Sequence, residues 1–141
     1  MAHLLIFTNT VPTPMQDPPP TPVSIGSAAH YTWGAGCDGW HLLRTSELSV
    51  IQERMPPSTE ETNHHHTRAR QFFFVPRGEL QVEVAGVPHL LGPFTGLEIP
   101  PGVPHQPRNV GQVAAEFLVV SQPPSHGDRV PGHPTASPPV R

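Results

Sequence analysis

The sequence has no lysine. Its eight basic residues are all arginine, eleven acidic residues outnumber them, and charged residues make up only 13% of the 141. Arg68 and Arg70 are the nearest approach to a basic cluster, so no nucleic-acid partner is expected. A single cysteine, Cys37, excludes an internal disulfide and fits a reducing compartment. No run approaches the roughly 18 apolar residues of a membrane helix, and the opening MAHLLIFTNTV lacks the basic stretch of a secretory signal. The expectation is a cytoplasmic chain with no membrane partner. Long helices are excluded by what is abundant: 21 prolines and 12 glycines.

What remains is a series of short β signals between two proline-rich ends. VPTPMQDPPPTP, residues 11–22, holds six prolines, and residues 123–141 hold six more. Both read as extended polyproline-like or disordered segments, loosely packed on the rest. Between them, SELSVIQERM (46–55) mixes apolar and polar residues as a half-buried strand does, and QFFFV (71–75) is dense in aromatics. ELQVEV (79–84) alternates strictly, with Leu80, Val82 and Val84 on one face. Ala85-Gly86 predicts a hairpin turn into VPHLL (87–91), whose Pro88 places that arm at a sheet edge. GLEI (96–99) and AAEFLVVS (114–121) complete the set. The expected fold is all-β, a single-domain antiparallel barrel or sandwich. The expected division is an arm over 1–40, a barrel over 41–125 and a tail over 126–141.

The chemistry concentrates in NHHHTRARQ, residues 63–71. On a strand, residues two apart share a face, so His64 and His66 point one way and His65 the other. Two neutral imidazoles on one face suit a divalent metal. Gln71 could return to that face after the bend at 67–70, and the Pro100-Pro101-Gly102 turn could bring in His105.

These spacings resemble the cupins. His64-x-His66, four residues, Gln71, six residues and Gly78 follow the first cupin motif, and Pro100, Gly102, His105 and Asn109 follow P-x-G-x-x-H-x-x-x-N of the second. The resemblance covers about residues 46–121 and implies an RmlC-like jelly roll. It implies one divalent ion (Fe, Mn, Ni, Co or Zn) held by His64, His66, Gln71 and His105. Three residues depart from the pattern. Ser58 and Phe94 stand where glycines are usual, and Gln71 replaces the commoner glutamate. Neutral donors leave the ion its full charge, which favours Lewis-acid chemistry over oxidation of the metal.

The implied function is action on a small oxygenated ligand, such as a sugar acid or diketone, as an isomerase or a dioxygenase. The alternative is a binding module without catalysis. No nucleophile–base pair is evident, and no catalytic residue is assigned. Glu53, Arg54, Arg68, Arg70 and Arg108 are the charged residues nearest the motifs in sequence. His30, His41, His89, His126 and His133 have no partner pattern. Outward-facing Phe72 and Phe74 need cover, either from a second subunit, since small cupins are commonly homodimers, or from the N-terminal segment with Phe7, Trp33 or Trp40. Metal affinity is expected to fall as pH drops through the ordinary histidine range near roughly 6.5.

Overall fold

The computed structural model of the chain describes residues 3–6, 9–11 and 18–132. Eleven strands run through them: β1 (Ala29–Trp33), β2 (Cys37–Arg44), β3 (Ser49–Met55), β4 (His64–His66), β5 (Arg70–Arg77), β6 (Leu80–Val84), β7 (Val87–Leu91), β8 (Thr95–Ile99), β9 (His105–Arg108), β10 (Ala115–Gln122) and β11 (Arg129–Pro131). All pairings are antiparallel. One sheet has the order β1-β2-β3-β10-β5-β8, the other β11-β4-β9-β6-β7.

Alternation in the sequence sets which side chains face inward. Ser49, Ile51 and Met55 on β3, Gln71, Phe73 and Val75 on β5, and every second residue of β10 from Ala115 to Ser121 are buried. These inward rows grade along the barrel. Register places Ser121 opposite Ser49 and Gln71, and Ala115 opposite Met55. One end of the interior is therefore polar. The other holds the apolar cluster of Met55, Val75, Leu80, Val82, Ala115 and Phe117, whose burial drives folding at roughly 25 cal/mol per Å² of apolar surface. The functional candidates lie at the polar end.

The ELQVEV–VPHLL hairpin forms as expected. Ala85 and Gly86 hold φ of 48° and 82°, the left-handed pair that matches a two-residue turn to strand twist. β7 is an edge strand, where Pro88 removes no ladder bond.

The sheets reach beyond the expected 41–125. β1 and β2 extend the larger sheet on its β3 side, and β11 adds to the smaller one. Within the expected arm, residues 12–17 lie outside the described residues, and so do Phe7 and the tail from 133. Trp33 and Trp40 do not cover Phe72 and Phe74. They sit on β1 and β2, with β3 and β10 between them and β5.

The two missing motif glycines leave a mark. Ser58 and Phe94 both adopt left-handed backbone, at φ 64° and 61°, a region that costs an ordinary L-residue about 1–2 kcal/mol. Ser58→Gly is expected to stabilise the fold by about 0.5–1 kcal/mol after the glycine's larger unfolded-state entropy is subtracted. Urea midpoints of the two proteins check it. The motif's Asn109 is structural: its buried amide donates to the Met55 and Val113 carbonyls at 2.8 and 2.9 Å and accepts from the Gly111 N–H at 2.9 Å.

Candidate metal centre

Two elements bring the histidines together. His64 and His66 project from the same face of β4, and His105 enters from β9 in direct register with His64. The turn before β9 is tied to the histidine strand, because the Gly102 N–H donates to the His66 carbonyl at 2.7 Å. The Pro-Pro-Gly segment thus docks on β4 and delivers His105. The three rings lie 4.4 to 5.6 Å apart between centroids, with one nitrogen from each inside a 4.8 Å span. All three are buried. His65 lies outside the cluster. It too is buried, and its Nδ1 is 2.6 Å from the Gly132 carbonyl.

The donor chemistry fits a cation. His64 Nδ1 meets the Thr62 carbonyl at 2.8 Å and His105 Nδ1 meets the Val103 carbonyl at 3.0 Å. Each ring must donate there, so each keeps its Nε2 lone pair. His66 Nδ1 is buried with no hydrogen-bond partner among the described residues. Gln71 donates through Nε2 to Ser121 Oγ at 3.1 Å, which turns its Oε1 toward His105 Nε2, also at 3.1 Å. Two acceptors then face one another with no proton to share, an arrangement a cation resolves. Burial, chiefly, lowers the pKa of each imidazole to about 4. The lone pairs therefore remain available well below the pH near roughly 6.5 expected from an ordinary histidine.

Of the four residues singled out by spacing, the three histidines cluster and Gln71 Oε1 lies beside one of them, His105. Gln71→Glu keeps the geometry and adds a charge, with Ser121 donating to the new carboxylate. It is expected to tighten a bound divalent ion about tenfold, in line with the 10–100-fold weight of groups around metal sites. Competition against a chromogenic chelator measures it.

The cluster opens into a cavity of about 350 Å³ lined by Ile51, Phe73, Val119, Glu53, Glu61 and Arg129, together with Ser125, His126 and Gly127. Of the charged residues near the motifs in sequence, only Glu53 reaches it. Arg54 pairs with Asp38, Arg70 with Glu98, and Arg108 with Glu60 and Glu83. The cavity's arginine is Arg129 instead, from the segment expected to be a loose tail. His126, which has no partner pattern in the sequence, also lines the cavity. Neither carries a local signal, because β11 is placed by partners some 60 residues away: Arg129 opposite His66, Val130 opposite His65, and Pro131 opposite His64.

The carboxyl groups are strongly perturbed. Burial pushes Glu53 up to about 8, helped by the neighbouring charge of Glu61 and opposed by a hydrogen bond from Tyr31. Burial also raises Glu61 to about 7, against the pull of Arg129 at 3.3 Å. Asp128 lies below its ordinary value. Burial opposes its ionisation, but the Arg68 and Ala69 N–H groups donate to it at 2.9 and 2.8 Å.

Comparison with known proteins agrees with this architecture. The cupin domain family matches residues 51–121. Protein SchB of Streptomyces halstedii is 36% identical over 62 residues, 44% of this chain and 45% of SchB, so the match spans under half of that relative. An RmlC-like cupin from Shewanella frigidimarina superposes with a TM-score of 0.67 at 23% identity, over 74% of this chain and 92% of its own. The polyketide cyclase RemF of Streptomyces resistomycificus superposes at 0.68 with 17% identity, over 84% and 87%. At these identities the likeness to the two structures is one of fold. The match over residues 51–121 shows that the chain belongs to the cupin domain family.

Proposed function

We propose that the chain is a metal-dependent enzyme that enolises or isomerises a small oxygenated carbonyl compound. The observation that carries this is the set of four neutral donors, three imidazoles and one amide oxygen, at the base of a mixed polar and apolar cavity. A divalent ion held by His64, His66, His105 and Gln71 would supply Lewis acidity toward a ligand oxygen. The residues around it supply the rest. Ile51, Phe73 and Val119 give a water-poor wall for the carbon skeleton, and Arg129 offers a guanidinium suited to a carboxylate or enolate oxygen. The volume lies in the range of small-ligand sites.

The absence of a carboxylate donor makes this reading better suited than dioxygen chemistry, which gains from an anionic ligand that eases metal oxidation. RemF, a polyketide cyclase of the same fold, supports a reading in which the barrel carries an enzyme. A homodimer remains part of the proposal, supported by Phe72, which is 44% exposed on the outer face of β5, and analytical ultracentrifugation tests it.

The test is metal analysis of protein from metal-supplemented culture, followed by assay on a panel of hydroxyketones, 1,3-diketones and uronates. One tightly held divalent ion and metal-dependent turnover of a panel member are expected. A chain that holds the ion and binds a panel member without turnover is a binding module instead.

A further inference from the structure

The cavity does not end at the histidines. A second lobe of about 340 Å³ is lined by Tyr31, Trp33 and Thr62, and it shares Glu53, Glu61, His126 and Arg129 with the first. Glu53 thus stands where the two lobes meet. It lies on the inward row of β3, between buried Ile51 and Met55, where the alternation calls for an apolar side chain.

Its carboxylate is held by a specific construction across three strands. Register sets Tyr31 of β1 beside Gly39 of β2, and Gly39 beside Glu53 of β3. A Cβ at Gly39 would fall 2.1 Å from the Tyr31 ring and 2.5 Å from its hydroxyl. Only glycine lets the ring lie flat across β2 and reach the next strand, where Tyr31 Oη donates to Glu53 Oε1 at 3.0 Å. Glu53 Oε2 has no hydrogen-bond partner among the described residues.

We propose that Glu53 is the proton-transfer residue of this cavity, positioned by Tyr31 lying across Gly39, and that its substrates are carbonyl compounds whose tail occupies the outer lobe. The proposal rests on the carbonyl chemistry proposed above. The other candidates are committed elsewhere: Glu61 pairs with Arg129 and lies 3.7 Å from His64, and His126 packs edge-on against Tyr31 and His41. Burial and the Glu61 charge make Glu53 a stronger base than an ordinary carboxylate, with a pKa of about 8. In the outer lobe, Tyr31 and Trp33 give the tail an aromatic wall.

The step balances as an enolisation. The C–H bond next to the carbonyl breaks and its electron pair forms the C=C bond. The carbonyl π pair moves onto oxygen, and the proton resides on Glu53 Oε2. For an α-hydroxyketone, return of that proton to the former carbonyl carbon, with the hydroxyl proton passing to the former carbonyl oxygen as the hydroxyl carbon becomes the new C=O, completes an isomerisation with no change in composition.

The probe is 2-hydroxyacetophenone, an α-hydroxyketone with an aromatic tail. It is incubated with the zinc-loaded full chain in D2O, and loss of its methylene signal is followed by proton NMR. Glu53→Gln is expected to slow exchange about 100-fold or more, the usual weight of a positioned acid–base group, with zinc content and KM unchanged. Tyr31→Phe is expected to lower kcat about tenfold at unchanged KM, because it frees the carboxylate and keeps the ring. Gly39→Ala is expected to lower kcat similarly and to raise KM, because its Cβ also displaces the Tyr31 ring from the lobe. Circular dichroism and zinc content verify that each variant is folded, and the two positioning variants test the idea if Glu53→Gln does not fold. A zinc-loaded Glu53→Gln that exchanges at the wild-type rate overturns this proposal and leaves the metal reading standing. Wild-type protein that binds zinc and the probe but exchanges nothing also overturns it. Wild-type protein that binds no zinc overturns both.

Discussion

His105→Ala is expected to lower affinity for a divalent ion by about 100-fold or more. Groups that merely orient metal ligands are worth 10–100-fold, and His105 is itself one of three converging imidazoles. It is also the one whose Nε2 faces Gln71 Oε1, so its loss opens the donor set beside Gln71. His65→Ala is the comparison, since it lies on the same strand outside the cluster. That change forfeits the bond to the Gly132 carbonyl, worth about 1 kcal/mol of stability, and keeps the donor set. Equal metal content in the two variants at neutral pH would sink the site as drawn.

The same three histidines set a pH dependence with a definite sign. Folding lowers each pKa from the ordinary 6.5 to about 4. Between those values the imidazoles bind more protons in the unfolded chain than in the folded one, so they cost the metal-free protein stability as pH falls from 6.5 toward 4, while the raised Glu53 and Glu61, at about 8 and about 7, contribute with the opposite sign as they protonate in the folded chain. His105→Ala should flatten this slope. Urea midpoints of metal-free protein at several pH values across the window would show it. Identical pH slopes for the wild type and His105→Ala would mean that His105 is not a buried neutral group.

The donors were legible in the sequence because a strand's two-residue period and a Pro-Gly turn are local. His64, His66 and Gln71 lie within eight residues, and Pro100 to His105 form one turn. The hairpin of β6 and β7 was legible for the same reason. β1 and β2 were not: AHYTW and CDGWHLLR break the alternation with His30, Asp38 and Gly39. Those residues make sense only across strands. Gly39 makes room for Tyr31, and Asp38 Oδ1 lies 2.7 Å from His30 Nε2. The walls of the cavity were equally hidden. Glu53, Glu61 and the pair His126 and Arg129 come from three separate segments, and no periodicity relates them. Polarity and proline content suggested a loose tail from 126 onward. Pairing with β4 overrides that composition through backbone bonds, to which a three-residue strand contributes regardless of its side chains.

That pairing leads to the second large effect. A chain ending at Pro124 should bind metal about 10–100-fold more weakly, although all four donors remain. β4 is held on one side by three residue pairs with β11 and on the other by a single pair with β9. The flanks of the segment add further ties. Asp128 accepts from the Arg68 and Ala69 N–H groups, the Gly132 N–H donates to the Asn63 carbonyl at 2.9 Å, and His65 holds the Gly132 carbonyl. Together these fix both ends of the histidine strand. Without them, His64 and His66 keep one neighbour and face a cavity that has lost Ser125, His126, Gly127 and Arg129 from its wall. A chain ending at Gly132 retains every one of these contacts and should match the full-length protein. Asp128→Ala, which removes two of the ties and leaves β11 paired, should fall between. If the chain ending at Pro124 holds metal as tightly as the chain ending at Gly132, β4 is positioned by the turn at Gly102 and by β9 alone.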